Sequence, residues 1–184
     1  GYMRADNVAT YGARFYEGRT ISGHIAGHMT KTNTIGYIAS FPIPEVVRGI
    51  NAFYLAAAKV NPDIKIKIIW AFTWYDPGKE ADAAKTLINQ GADILVQQEA
   101  EKAGVLAFGQ ASNQEEFCPN SHLTAIEDVW GPYYAERAKA VVDGTWSSTD
   151  TWDGMDKGMV VMSPYNAKLM PSDLIQEAVA MEIA

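Results

Sequence analysis

Three times along this chain a short apolar stretch of strand character runs straight into a loop of aromatic and polar groups and on toward a helix. Residues 35–40 lead into Phe41-Pro42-Ile43-Pro44 and a helix over 45–60. Residues 64–70 lead into Phe72-Thr73-Trp74-Tyr75-Asp76-Pro77 and a helix over 79–90. Residues 105–108 lead into Gly109-Gln110-Ala111-Ser112. Alternation of this kind builds a parallel α/β sheet, and such sheets bind small molecules in the crevice beyond the carboxyl ends of their strands. The side chains at those ends therefore hint at the ligand. Here they are rings and hydrogen-bonding groups rather than a glycine-rich phosphate cradle, which points to a flat, weakly charged ligand such as a nucleobase.

Local patterns fill in the rest. Tyr16, Ile21, Ile25 and Met29 form one stripe of a helix over 15–29, and Val46, Ile50, Phe53, Tyr54 and Ala57 keep helical spacing in the next. Asn61-Pro62-Asp63 stops that helix by turn chemistry. Ile64-Lys65-Ile66-Lys67-Ile68-Ile69 alternates like a strand with one wetter face, near a sheet edge. Asp76-Pro77 supplies an N-cap and a proline at the first helical position, Ala81, Ala84, Leu87 and Ile88 face inward, and Gly91 ends the helix. Further strands are expected over 92–97, 105–108, 123–126 and 159–162, with helices over 131–143 (Tyr134, Ala138 and Val141 inward) and 172–183. Only seven residues, 98–104, separate two of these strands. A parallel crossover needs about ten to twelve, so the spacing predicts a gap near Gln97 and Gln98.

A formal charge of −7 argues against nucleic-acid backbone binding, which needs clustered Lys and Arg. The single cysteine, Cys118, excludes an internal disulfide. Its neighbours Glu115 and Glu116 would raise rather than lower a thiol pKa, and no Gly-x-Ser-x-Gly elbow occurs. Gly78-Lys79 lacks the earlier glycine and the following Ser or Thr of a phosphate loop. His24 and His28 share one helix face, but Ile25 stands where the metalloprotease pattern needs Glu, so they read as surface or interface histidines. Phe41, Trp74 and Tyr75 remain, gathered at one edge of one sheet, where aromatic faces can stack on a flat ring. Trp130 starts a helix just after a strand, another place that can face a cleft.

The run from Gly36 to Val46, GYIASFPIPEV, and that from Trp74 to Ala81, WYDPGKEA, resemble the basic membrane protein family of ABC-transporter substrate-binding lipoproteins. Tyr16-Glu17-Gly18-Arg19 with Gly23 and Gly27 fits the family's upstream helix, and Asp128-Val129-Trp130-Gly131-Pro132-Tyr133-Tyr134 its downstream one. The resemblance implies a periplasmic-binding-protein type I fold, two parallel-sheet α/β lobes closing on a ligand, with the first lobe incomplete here. It divides the chain into 1–33 (tail of the first lobe), 34–127 (second lobe), 128–152 (return into the first lobe) and 153–184 (hinge crossing with the final strand and helix of the second lobe). The ligand sites it implies are Phe41, Trp74, Tyr75, Asp76, Gly109, Gln110, Ala111, Trp130 and Lys157.

Two departures bear on the ligand. Trp130 stands where nucleoside-binding members have a ribose-holding aspartate, and an indole can only donate. Asp156 stands where a lysine is expected, with Lys157 beside it. Both favour a bare purine base such as adenine over a nucleoside. The resemblance thus implies a periplasmic or membrane-anchored extracytoplasmic protein that serves an ABC permease, with no catalytic residue, cofactor or metal. Two alternatives stand beside it. One is a ligand-dependent sensor for a signalling partner. The other is a purine nucleoside-processing enzyme with an acid–base group among Asp76, Glu45 and Glu127.

Overall fold

The computed structural model describes residues 2–3, 5–96 and 104–183. In chain order its elements are β1 (Thr10–Ala13), α1 (Tyr16–Met29), β2 (Thr34–Ala39), α2 (Pro44–Val60), β3 (Lys65–Trp70), α3 (Pro77–Asn89), β4 (Ile94–Val96) and β5 (Leu106–Ala111). Then come β6 (His122–Asp128), α4 (Gly131–Val142), β7 (Asp150–Asp153), a 3-10 turn (Met155–Lys157), β8 (Val160–Met162) and α5 (Ser172–Ile183). The gap expected near Gln97 and Gln98 lies outside the described residues.

Alternation in β2 organises two hydrophobic layers. Ile35, Tyr37 and Ala39 face one core, shared with α1, α2 and α5, while Ile38 faces a second core against α3. A strand covered on both faces belongs inside a parallel sheet, and β2 lies between β3 and β4. The six-stranded order is β3-β2-β4-β5-β6-β8, parallel through β6 and closed by antiparallel β8. β3 lies at the sheet edge as expected, but its exposure does not alternate: Lys65 and Ile68, on opposite faces, are exposed, and the Lys67 ammonium donates to the Gln90 carbonyl at 2.7 Å. Asp76 caps α3 as expected, its carboxylate accepting from the Lys79 amide at 3.1 Å, and Gly91 takes φ +97° just past its end.

α1 and α2 approach closely through two small residues a helical turn apart. A Cβ on Gly23 would lie 2.1 Å from the Phe53 carbonyl oxygen, and one on Gly27 would lie 2.8 Å from that of Ala57. Helix α1, grouped by the lobe division with residues 1–33, thus sits deep in the core of the six-stranded unit, with Ile21, Ile25 and Ala26 buried. β1 pairs instead with β7 in a separate two-stranded parallel sheet.

Four local expectations are corrected. Tyr54 is exposed, and α2 turns Gly49, Ile50, Phe53 and Ala57 inward. In α4 Tyr134, Ala138 and Val141 are exposed and Tyr133 is buried, because the helix meets β1 through Tyr11, whose ring lies 4.8 Å from that of Tyr133. One residue along a helix is a 100° rotation, so apolar spacing alone did not fix the face. Gly109–Ala111 continue β5, pairing with Ala125–Glu127 of β6, rather than forming a loop. β7 has no counterpart among the strands expected from sequence and is made a strand by its parallel partner β1.

Candidate functional site

The carboxyl ends of β2, β3, β5 and β6 converge, with the starts of α1 and α2, on a cavity of about 320 Å³. That is the size class of small-molecule sites. Rings and alkyl groups make much of its wall, and five charged residues line it, Arg19, Glu45, Arg48, Glu80 and Asp128.

Arg19 comes from α1 and is 8% exposed. Its guanidinium lies over the Phe15 and Tyr37 rings, 5.6 and 5.4 Å from their centroids, and Nη2 donates to the Gln110 side-chain oxygen. Stacking and hydrogen bonding fix the planar fork in one orientation. Nη1 remains buried with no partner among the described residues. Burial raises the pKa of the Tyr37 phenol, and Arg19 partly opposes this.

Asp128 ends β6, and its Oδ1 is likewise buried without a partner among the described residues. Burial first, and then the negative charge of Glu45, push its carboxyl up to about 6. The cavity therefore offers a buried cationic donor and a buried acceptor, beside aromatic faces. Two backbone outliers lie at the same strand ends: Phe72 and Ala111 hold φ of +52° and +64°, the left-handed region.

Of the residues implied from sequence, Trp74, Gln110 and Ala111 line this cavity. Phe41 supports Trp74 with ring centroids 5.4 Å apart. Tyr75 is 80% exposed and outside the lining, and Asp76 serves as the α3 cap. Gly109 is pressed against Ala125 and His122 within the sheet. Trp130 packs edge-on against Tyr11 at 5.2 Å, outside the lining. Lys157 is exposed in the 3-10 turn, and its neighbour Asp156 pairs with Arg14. Of the acid–base candidates, Glu45 lines the cavity, Asp76 caps a helix and Glu127 accepts from the Ser163 hydroxyl.

The sequence reading missed Arg19, Tyr37 and Asp128. A carboxylate at the end of a strand was the available signal for Asp128. Arg19 gave none, since an arginine in an amphipathic helix is ordinarily a solvated group. Among the described residues one group of three metal-ligating side chains occurs, His24, His28 and Glu177, outside the cavity lining.

The model of the PnrA-like ABC transporter substrate-binding proteins matches residues 1–183. The chain belongs to this family. It is 54% identical over 182 residues to a purine-binding protein of Brucella abortus (strain 2308), an alignment covering 95% of this chain and 51% of that protein. It is 35% identical over 173 residues to a Haloferax volcanii protein named as an ABC transporter glucose-binding protein, covering 90% of this chain and 44% of the other. The chain thus spans about half the length of the curated relatives it matches. Among solved structures, an ABC transporter solute-binding protein of Aeropyrum pernix K1 superposes with a TM-score of 0.84 at 17% identity, covering 100% of this chain and 66% of that one. A transcriptional activator of the comK gene from Bacillus halodurans gives the same TM-score at 20% identity, covering 98% and 65%. These neighbours share the periplasmic-binding-protein type I fold with this chain. The family is one of extracytoplasmic substrate-binding proteins rather than enzymes.

Proposed function

We propose that the protein to which this chain belongs binds a purine base, such as adenine, and delivers it to an ABC permease in the membrane. The observation that carries this reading is the pair of unpartnered buried atoms in one aromatic cavity, Arg19 Nη1 and Asp128 Oδ1. A buried polar group left unpaired costs about 1–3 kcal/mol, so a ligand that satisfies both is favoured over one that satisfies neither. A purine base offers ring nitrogens that accept and N–H groups that donate, on one flat frame. Trp74, held by Phe41, supplies the stacking face. Stacking with two or three buried hydrogen bonds supports micromolar affinity, about 8 kcal/mol.

Binding would draw a second lobe over the cavity, and the permease would recognise the closed form. Trp130, set against Tyr11, leaves the carboxylate role to Asp128. The buried donor and the buried acceptor match the edge of a base, while Glu45, Arg48 and Glu80 also line the cavity, so retention of a nucleoside is the outcome that decides against a bare base.

The test is mass spectrometry of small molecules released on denaturing the purified protein, followed by a thermal-shift panel of adenine, adenosine, guanine and glucose. A stoichiometric purine base, or stabilisation by one, is the expected result. Retention of a nucleoside would keep the receptor and assign Asp128 to ribose. Stabilisation by glucose alone would overturn the purine reading.

A further inference from the structure

His24 and His28 lie four residues apart on α1, so both imidazoles project from one face. Their ring centroids are 4.7 Å apart. Glu177 on α5 reaches the same point: its Oε2 lies 2.9 Å from His24 Nε2 and 3.9 Å from His28 Nε2. One ligand atom from each of the three falls within 4.8 Å of the others. A carboxylate that served only as an ion-pair partner would need one imidazole, yet here both converge on the same oxygen.

We propose that His24, His28 and Glu177 form a site for a divalent transition metal, with Zn²⁺ the best match. Two neutral imidazoles and a carboxylate suit borderline metals such as zinc, copper and nickel rather than calcium or magnesium, which prefer all-oxygen shells. Zinc binds imidazole nitrogen and carboxylate oxygen at about 2.0–2.2 Å, and tetrahedral arms of that length set neighbouring ligand atoms about 3.4 Å apart. The two observed nitrogen–oxygen separations lie on either side of that value. A small turn of Glu177 would lengthen the shorter and shorten the longer, and its side chain is 55% exposed, with room to turn. The His24 side chain is 16% exposed and is held in place by the fold, while His28 and Glu177 give access from solvent. Three protein ligands leave the fourth position to water. The metal would tie α5, the last helix, to α1, whose first turns carry Tyr16 and Arg19 into the cavity.

The experiment is calorimetric titration of the chelator-treated chain with ZnCl₂, repeated with Co²⁺ while its visible absorption is followed, on the wild type, His28→Ala and Glu177→Gln. The expected result is one metal per chain in the micromolar range, tetrahedral Co²⁺ bands, and affinity lower by at least about tenfold in each variant. Circular dichroism checks that the variants fold. Both changes are at well-exposed side chains, and Glu177→Gln keeps the shape of its side chain should His28→Ala fail to fold. No saturable binding, binding in the two variants as strong as in the wild type, or one metal per two chains would each overturn the proposal.

Discussion

Arg19, on α1, and Asp128, at the end of β6, line the same cavity, and each holds a buried polar atom with no hydrogen-bond partner among the described residues. Neither is satisfied by the other. A site built this way is poor at being empty and good at being filled. Its discrimination comes from the same source: a ligand that lacks the matching acceptor or donor leaves the penalty in place.

Arg19→Met keeps the length of the stem and removes the fork. It should lower affinity for the purine base by about 10- to 100-fold, the worth of a charged hydrogen bond. Titration calorimetry reads it. Because Gln110 then loses its donor as well, Arg19→Lys should restore only part of the loss: an ammonium cannot serve both partners in the geometry of a planar fork.

Asp128 predicts two pH dependences of opposite sign. Its folded pKa of about 6 lies above the ordinary 3.8, so the folded state binds more protons than the unfolded one between those values. Stability therefore falls as pH rises through that window and stays lower above it. Asp128→Asn removes the penalty. It should be more stable than wild type by on the order of 1–2 kcal/mol at pH 7.5, after discounting for the part of the group that solvent screens, and equal to it near pH 4. Urea melts at the two pH values check this. Ligand binding should run the other way. An N–H donating to the carboxylate favours its charged form, so wild-type affinity should decline below pH 6, and Asp128→Asn should bind weakly with a flat profile.

Gly23→Ala tests the packing that seats Arg19. The new methyl would meet the Phe53 carbonyl oxygen at 2.1 Å, a backbone atom that cannot swing away. Separation of α1 from α2 should cost about 1–3 kcal/mol, read as a lower urea midpoint. At Gly131 an added Cβ meets nothing within 4 Å, and Gly131→Ala should be close to neutral. Equal effects at the two positions would refute close α1–α2 contact as the reason for glycine at 23.

What could be read from the sequence was whatever a few neighbouring residues decide. Asp76-Pro77 and Gly91 each act within one turn, and each is found where expected, as is the edge position of β3. The cavity's polar pair was not legible, because each member depends on distant partners. Arg19 is buried by two glycines that draw α1 onto α2, and it is oriented by Gln110, 91 residues away. Asp128 reaches the cavity because β6 runs two residues past its expected end, held there by antiparallel β8 through Asp128 and Val160. The face of α4 failed for the same reason: Tyr133 or Tyr134 fits the spacing, and Tyr11 on distant β1 touches both rings while only Tyr133 is buried.

Trp74 and Tyr75 are sequence neighbours with aromatic rings, yet only Trp74 lines the cavity and only Trp74 is braced by Phe41. Trp74→Ala should weaken purine binding by about two- to twelvefold, the 0.5–1.5 kcal/mol of an aromatic stack. Trp74→Phe should recover most of it. Because the indole is 64% exposed, neither change should move the unfolding midpoint by more than a few tenths of a kcal/mol. Tyr75→Ala, at a residue 80% exposed and outside the lining, should leave affinity unchanged. Quenching of tryptophan fluorescence by the ligand gives a second readout, lost with Trp74→Phe and kept in Tyr75→Ala. Equal losses of affinity at the two positions would show that the loop acts through its general hydrophobicity, and would remove Trp74 from the site.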